Sequence, residues 1–117
     1  MKILEEVISI NGLKKLAAAT FGDLVKAVVD INKGLIAIDA ELHSDLEALL
    51  LENGSKQANL WGINLYPDLS DEEFVEFDSM INMRPSQGNK SRGVESKETK
   101  EKIIEIVNKW INHGYSA

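Results

Sequence analysis

Cysteine is absent from the 117 residues. That excludes a disulfide scaffold, a zinc ribbon, a thiolate nucleophile and an iron–sulfur site. Proline occurs only twice, so disorder is not expected outside loops. No apolar run approaches the ~20 residues that a membrane helix needs, and a membrane partner is excluded on that ground. The first residues, Met1-Lys2-Ile3-Leu4-Glu5-Glu6, are too acidic and too broken in hydropathy for a secretory leader, which makes the cytoplasm the expected location. Neither the HExxH spacing of a zinc protease nor the GxxxxGK[ST] phosphate loop is present.

What is there reads as one globular domain over residues 1–117, with 44% hydrophobic and 27% charged residues and apolar material for a single core. The formal net charge is −6, but it is unevenly placed. Residues 1–83 carry 6 Lys and no Arg against 15 Asp+Glu, whereas residues 84–117 carry 5 Lys and 2 Arg against 4 Glu. Both arginines, Arg84 and Arg92, lie in one loop-like stretch, and no acidic residue falls between Asp78 and Glu95. Nucleic acid, which needs an extended basic surface, is a poor partner for such a chain. A local anion site is not excluded.

Local patterns predict the element order α-β-β-α-β-β-α. Ser9-Ile10-Asn11-Gly12 offers capping residues for a helix over about 12–21, where Leu13, Leu16, Ala17, Thr20 and Phe21 keep helical spacing and Gly22 ends it. Residues 24–31 and 35–41 read as a hairpin around Asn32-Lys33-Gly34. Ser44-Asp45-Leu46-Glu47 has the form of a capping box and predicts a helix over about 45–53. Residues 61–66 and 73–83 alternate as strands. Ser96 caps a last helix with Ile103, Ile106, Val107, Trp110 and Ile111 as its apolar stripe. The expectation is an α+β fold, a two-layer sandwich of a four-stranded, mainly antiparallel sheet and three helices.

With the apolar parity of each strand facing the helices, the opposite sheet face receives Lys26, Val28, Asp30, Leu35, Ala37, Asp39, Glu41, Gly62, Asn64, Glu76, Asp78, Met80 and Asn82. Such a face is ordinarily solvated. Two alternatives are a homodimer interface with Val28, Leu35 and Met80 as its apolar part, and a ligand surface in which Ala37 and Gly62 leave room.

Two stretches carry chemistry. Asp39, Glu41, His43 and Asp45 crowd into seven residues. Asp39, Glu41 and His43 are the one set here that would suit a metal, and a divalent cation is the one cofactor they admit. Glu41 and His43 are the candidates for acid–base catalysis, since an ordinary imidazole titrates near neutrality. The plainer reading leaves Asp39 and Glu41 in solvent and puts Asp45 and Glu47 in a first helical turn, where the macrodipole favours negative charge. The stretch from Arg84 to Gly93 is denser still in anion-binding groups: Arg84, Ser86, Asn89, Lys90, Ser91 and Arg92. Guanidinium suits bidentate capture of phosphate or carboxylate, and the segment runs on toward a helix N-terminus. Its plainer reading is a polar loop whose arginines pair with the acidic body.

Several segments together resemble a family of uncharacterised proteins, a domain of unknown function of the DUF5674 type. They are Leu24-Val25-Lys26-Ala27-Val28-Val29-Asp30, residues 41–50 (Glu-Leu-His-Ser-Asp-Leu-Glu-Ala-Leu-Leu), Gly54-Ser55-Lys56-Gln57, residues 60–67 (Leu-Trp-Gly-Ile-Asn-Leu-Tyr-Pro) and residues 81–91 (Ile-Asn-Met-Arg-Pro-Ser-Gln-Gly-Asn-Lys-Ser). The resemblance spans most of the chain and implies a stand-alone small protein. It brings no activity, ligand or catalytic residue with it.

Three readings therefore stand side by side. One is a protein that binds a small anionic ligand through residues 84–92, as a homodimer. Another is an enzyme on a phosphorylated or nucleotide-like substrate, using Glu41 and His43. The third is an interaction module that uses the mixed sheet face. Convergence of His43 with Arg84 or Arg92 around a concave surface would favour the first two.

Overall fold

The computed structural model describes residues 1–114. A five-stranded sheet holds β1 (Lys2–Ile3), β4 (Leu35–Ile38), β3 (Val25–Asp30), β5 (Leu60–Leu65) and β6 (Val75–Glu76) in that spatial order. Every neighbouring pair in it is antiparallel. A separate parallel pair joins β2 (Ile8–Ser9) to β7 (Ile111–Asn112) and ties the two ends of the chain together. The helices are α1 (Ile10–Ala19), α2 (His43–Glu52) and α3 (Lys97–Trp110). The α+β class, the three helices and the mainly antiparallel sheet are as the sequence predicts, but the expected four strands are five, because Lys2–Ile3 adds an edge strand by pairing with Ala37 and Ile38, and the β2–β7 pair is additional.

Local chemistry explains most boundaries. The Ser9 hydroxyl accepts the Gly12 amide at 3.0 Å and starts α1, and Ser96 does the same for Thr99 at the start of α3. In the β3–β4 turn, Asp30 Oδ1 accepts the amides of Asn32 and Lys33, both at 2.9 Å. Gly34 closes the turn at φ 69°, a left-handed conformation that glycine adopts without a Cβ clash. Asp30 Oδ2 accepts the Ser55 hydroxyl at 2.6 Å, just beyond the C-terminal end of α2. Asp30 is thus fully buried, and its carboxylate is satisfied by three donors rather than by water.

The layering differs from the expected two-layer sandwich. One sheet face packs Val25, Ala27, Val29, Ile36, Ile38 and Ile63 against Leu13 and Ala17 of α1 and Ile103 and Val107 of α3. The other face is not solvated: Val28, Ala37 and Leu60 lie under Leu46 and Leu50 of α2. Helix α2 connects β4 to β5, which flank β3 on opposite sides. Its leucines need an apolar surface, and Val28 and Ala37 supply it. Burial of each such leucine contributes about 1.5–3 kcal/mol. The face put forward for homodimerisation is therefore largely inside the protein, with Val28 at 0% exposure; of its proposed apolar members only Met80 is exposed.

Three local expectations also change. The capping box at Ser44 does not form. Helix α2 begins at His43, and its N-cap Leu42 makes no side-chain cap bond. Strand β4 stops at Ile38, and Asp39 turns to φ 71°, which breaks the strand parity that would have aligned it with Glu41 and His43. Finally, the strand expected over 73–83 survives only as Val75–Glu76, and residues Met80–Asn82 form a 3-10 turn. The Ser79 hydroxyl accepts the Ile81 amide at 3.3 Å and favours the turn over continued extension. Met83, on the helix-facing parity of that expected strand, is exposed, while Asn82, on the opposite parity, is fully buried.

Candidate functional site

The turn at Met80–Asn82 leaves most of the outer edge of β5 without a strand partner, because β6 pairs only with Asn64 and Leu65. Side chains take over. The Gly62 amide donates to Asn82 Oδ1 at 2.8 Å, and Asn82 Nδ2 donates back to the Gly62 carbonyl at 2.9 Å. That is the pairing a strand backbone would make, supplied by a carboxamide. One step along the edge, Arg84 Nη2 donates to the Leu60 carbonyl. Its Nη1 donates to the Gln57 carbonyl at 2.7 Å and its Nε to the Ile81 carbonyl at 3.1 Å. The guanidinium also stacks over Trp61, 4.2 Å from the ring centroid. Burial holds the Arg84 pKa below its ordinary value, with Glu47 pulling the other way. Arg84 is a seal on the sheet edge, and its three side-chain hydrogen bonds all go to backbone carbonyls of the chain itself.

Asn89 organises the rest of the loop. It pairs backbone to backbone with Arg84, across a 3-10 turn at Pro85–Gln87 that Gly88 closes at φ 82°. Its Nδ2 donates to the carbonyls of Asn82, Ser91 and Gly93, and its Oδ1 accepts the Glu95 amide at 2.9 Å. This buried side chain is likewise used internally. Ser86 is exposed.

Beyond Asn89 the loop turns outward. The consecutive amides of Lys90 and Ser91 converge on one oxygen, Glu95 Oε2, at 2.5 and 3.0 Å. These amide bonds hold the Glu95 carboxyl below the usual carboxylate range. Arg92 is half-exposed and grips Asp78, Nε to Oδ1 at 2.7 Å and Nη2 to Oδ2 at 3.4 Å. Two adjacent amides and a guanidinium form an anion-accepting rim, and each already holds a carboxylate of the same chain. Neither Asp78 nor Glu95 stood out as a partner in the sequence. Yet they are the acidic residues that bound the acid-free stretch, and that position was the available signal.

The other predicted group does not assemble as a metal or catalytic set. Asp39 faces the N-terminal ammonium at 3.6 Å, and Glu41 is exposed. His43 is buried, with Nε2 2.8 Å from the Ile63 carbonyl. A carbonyl only accepts, so Nε2 carries the proton. Among the described residues, no cluster of three or more His, Asp or Glu is placed to hold a metal ion.

His43 nonetheless sits near part of the loop. A Cβ on Gly62 would come within 2.6 Å of the Ser79 side chain and 3.2 Å of the His43 ring, so glycine is what allows these groups to close on β5. Burial lowers the His43 pKa, the Ile63 bond opposes that, and the charges of Lys26, Asp78 and Arg92 also act on the ring. Nearby, Asn64 Nδ2 donates to Glu76 Oε1 at 2.8 Å, and the Tyr66 hydroxyl reaches the same oxygen at 3.1 Å. His43 and Arg92 are thus brought to one side of the sheet, whereas Arg84 is sealed into its edge.

A family model described as a protein of unknown function, DUF5674, matches residues 2–110. The chain belongs to the DUF5674 family. The match takes in β5, the Asn82–Arg84 edge seal and the whole 84–95 loop of this DUF5674 protein. No curated protein and no solved structure matches it. Among its described residues, no helix is long and apolar enough to cross a membrane.

Proposed function

We propose that this DUF5674 protein is a binding protein that takes an anionic group, phosphate or carboxylate, on Lys90, Ser91 and Arg92. The convergence of the Lys90 and Ser91 amides on a single Glu95 oxygen carries this reading. Consecutive amides turned to one point make a concavity for oxyanions. Arg92 adds a fork of matching geometry, and the exposed Lys90 adds charge. Glu95 then acts as a built-in competitor, and an incoming anion binds by exchange with it. Arg84 and Asn89 shape the loop from behind, and Ser86 is not required. A second copy across the sheet is not part of this reading, because α2 covers that face.

Inorganic phosphate is the probe for a thermal-shift titration. Removing the competitor with Glu95→Ala should strengthen the phosphate response over the unsubstituted chain. At a phosphate concentration of about 100 Kd the stabilisation should approach ~2.7 kcal/mol. Adding Lys90→Ala and Arg92→Ala to the Glu95→Ala chain should abolish it. If the Glu95→Ala protein gains nothing from phosphate beyond what chloride of equal ionic strength gives, the anion reading fails.

A further inference from the structure

A cleft of about 730 Å³ lies between the C-terminal half of α3 and the segment leading into β6. Phe74, Val75 and Ile111 supply buried apolar surface there, and Ile104 and the exposed Val7 stand at its sides. Its size falls in the range of small-molecule sites, which pair an apolar lining with a few polar groups. The Phe74 ring meets His113 edge-on at 4.7 Å, which fixes one wall.

Among the described residues, His113 is the one basic side chain in the lining. Asp71 and Glu72 belong to its lining, and no Lys or Arg does. Glu73 follows them in the same 3-10 turn. Among the described residues, none of these three carboxylates has a cationic partner within 4.0 Å. This contrasts with Asp78, which is paired to Arg92. An apolar cleft whose rim carboxylates have no Lys or Arg ion-pair partner among the described residues favours a cation over an anion.

We infer that this cleft is a second binding site, for a small molecule with an apolar ring-sized body and one amine that is protonated at neutral pH. The ring lies against Phe74, Val75 and Ile104, and the ammonium group meets Asp71 and Glu72. The site is separate from the proposed anion-binding rim and shares no residue with it.

Tryptamine, 3-ethylindole and indole-3-acetate present one ring with positive, neutral and negative charge, and serve as the probes. Amide chemical shifts of the full chain are followed during each titration. Tryptamine should produce saturable shifts centred on Glu72, Val75, Ile104 and Ile111, and should bind at least tenfold more tightly than indole-3-acetate. The double substitution Asp71→Asn/Glu72→Gln, at exposed positions, should reduce tryptamine to the level of 3-ethylindole. Ile104→Gln should weaken tryptamine and 3-ethylindole alike. Equal or tighter binding of indole-3-acetate overturns the proposal. So do tryptamine shifts that do not saturate or that map elsewhere, and a tryptamine preference that survives Asp71→Asn/Glu72→Gln.

Discussion

Residues 84–89 and 90–95 are two halves of one polar loop, and the fold uses them in opposite ways. In the first half, Arg84 and Asn89 are buried and donate to backbone carbonyls. In the second, Arg92 and the Lys90–Ser91 amides sit at the surface and hold carboxylates. The two arginines are eight positions apart and chemically identical. What separates them is the acceptor within reach. The unpaired edge of β5 offers carbonyls that water no longer reaches, and a buried carbonyl without a donor costs about 1–3 kcal/mol. The outer lip offers solvent-exposed carboxylates and the Met80 sulfur.

The sharpest way to break this comparison is at Arg84. Arg84→Ala leaves the carbonyls of Gln57, Leu60 and Ile81 without that donor and uncovers Trp61. It should destabilise the protein by roughly 3 kcal/mol or more in urea unfolding. Arg84→Lys should recover little, since an ammonium cannot reproduce the planar fork. A loss below about 1 kcal/mol would mean that the edge seal is decorative.

An intermediate effect is expected from pH, through His43. Its folded pKa lies below the ordinary 6.5, chiefly from burial, and a position at the start of α2 also disfavours a cation. Well above pH 6.5 the ring is neutral in both folded and unfolded chains, and its contribution is complete. As the pH falls below that, the unfolded chain takes a proton that the folded one resists, so stability drops until the folded pKa is passed. The urea midpoint should therefore fall as the pH drops below about 7. His43→Gln should flatten that slope, and an unchanged slope would remove His43 from the buried, internally used set.

The smallest effect should come from Arg92→Ala. An exposed ion pair typically contributes about 0–1 kcal/mol, and the unfolding midpoint should move only slightly. A loss as large as that of Arg84→Ala would erase the distinction between the two halves of the loop.

The helices, the β3–β4 hairpin and β5 were legible because short-range chemistry specifies them: Ser9 and Ser96 cap, Gly34 turns, and apolar residues keep their period. The 73–83 stretch was misread because Ile81 and Met83 keep strand parity while the Ser79 hydroxyl draws the backbone into a turn. The site was half legible. The density of anion-binding groups at 84–92 is plain in the sequence. Which of them face solvent depends on carbonyls of residues 57–60, far away in the chain. The acidic turn at 71–73 shows the converse, since three consecutive carboxylates look solvated until an apolar cleft lies beside them.

By itself the sequence determined the class of the fold, the cap at Ser96, the β3–β4 turn, and the confinement of both arginines to one acid-free stretch. These depend on contacts a few residues long. Tertiary structure alone decided that α2 covers the second sheet face, that Asn82 and Arg84 stand in for a missing strand, and that Asp78 and Glu95 occupy the anion-binding rim. The physical reason is that a polar group's role is set by which partner it meets once water is excluded, and such partners come from anywhere in the chain.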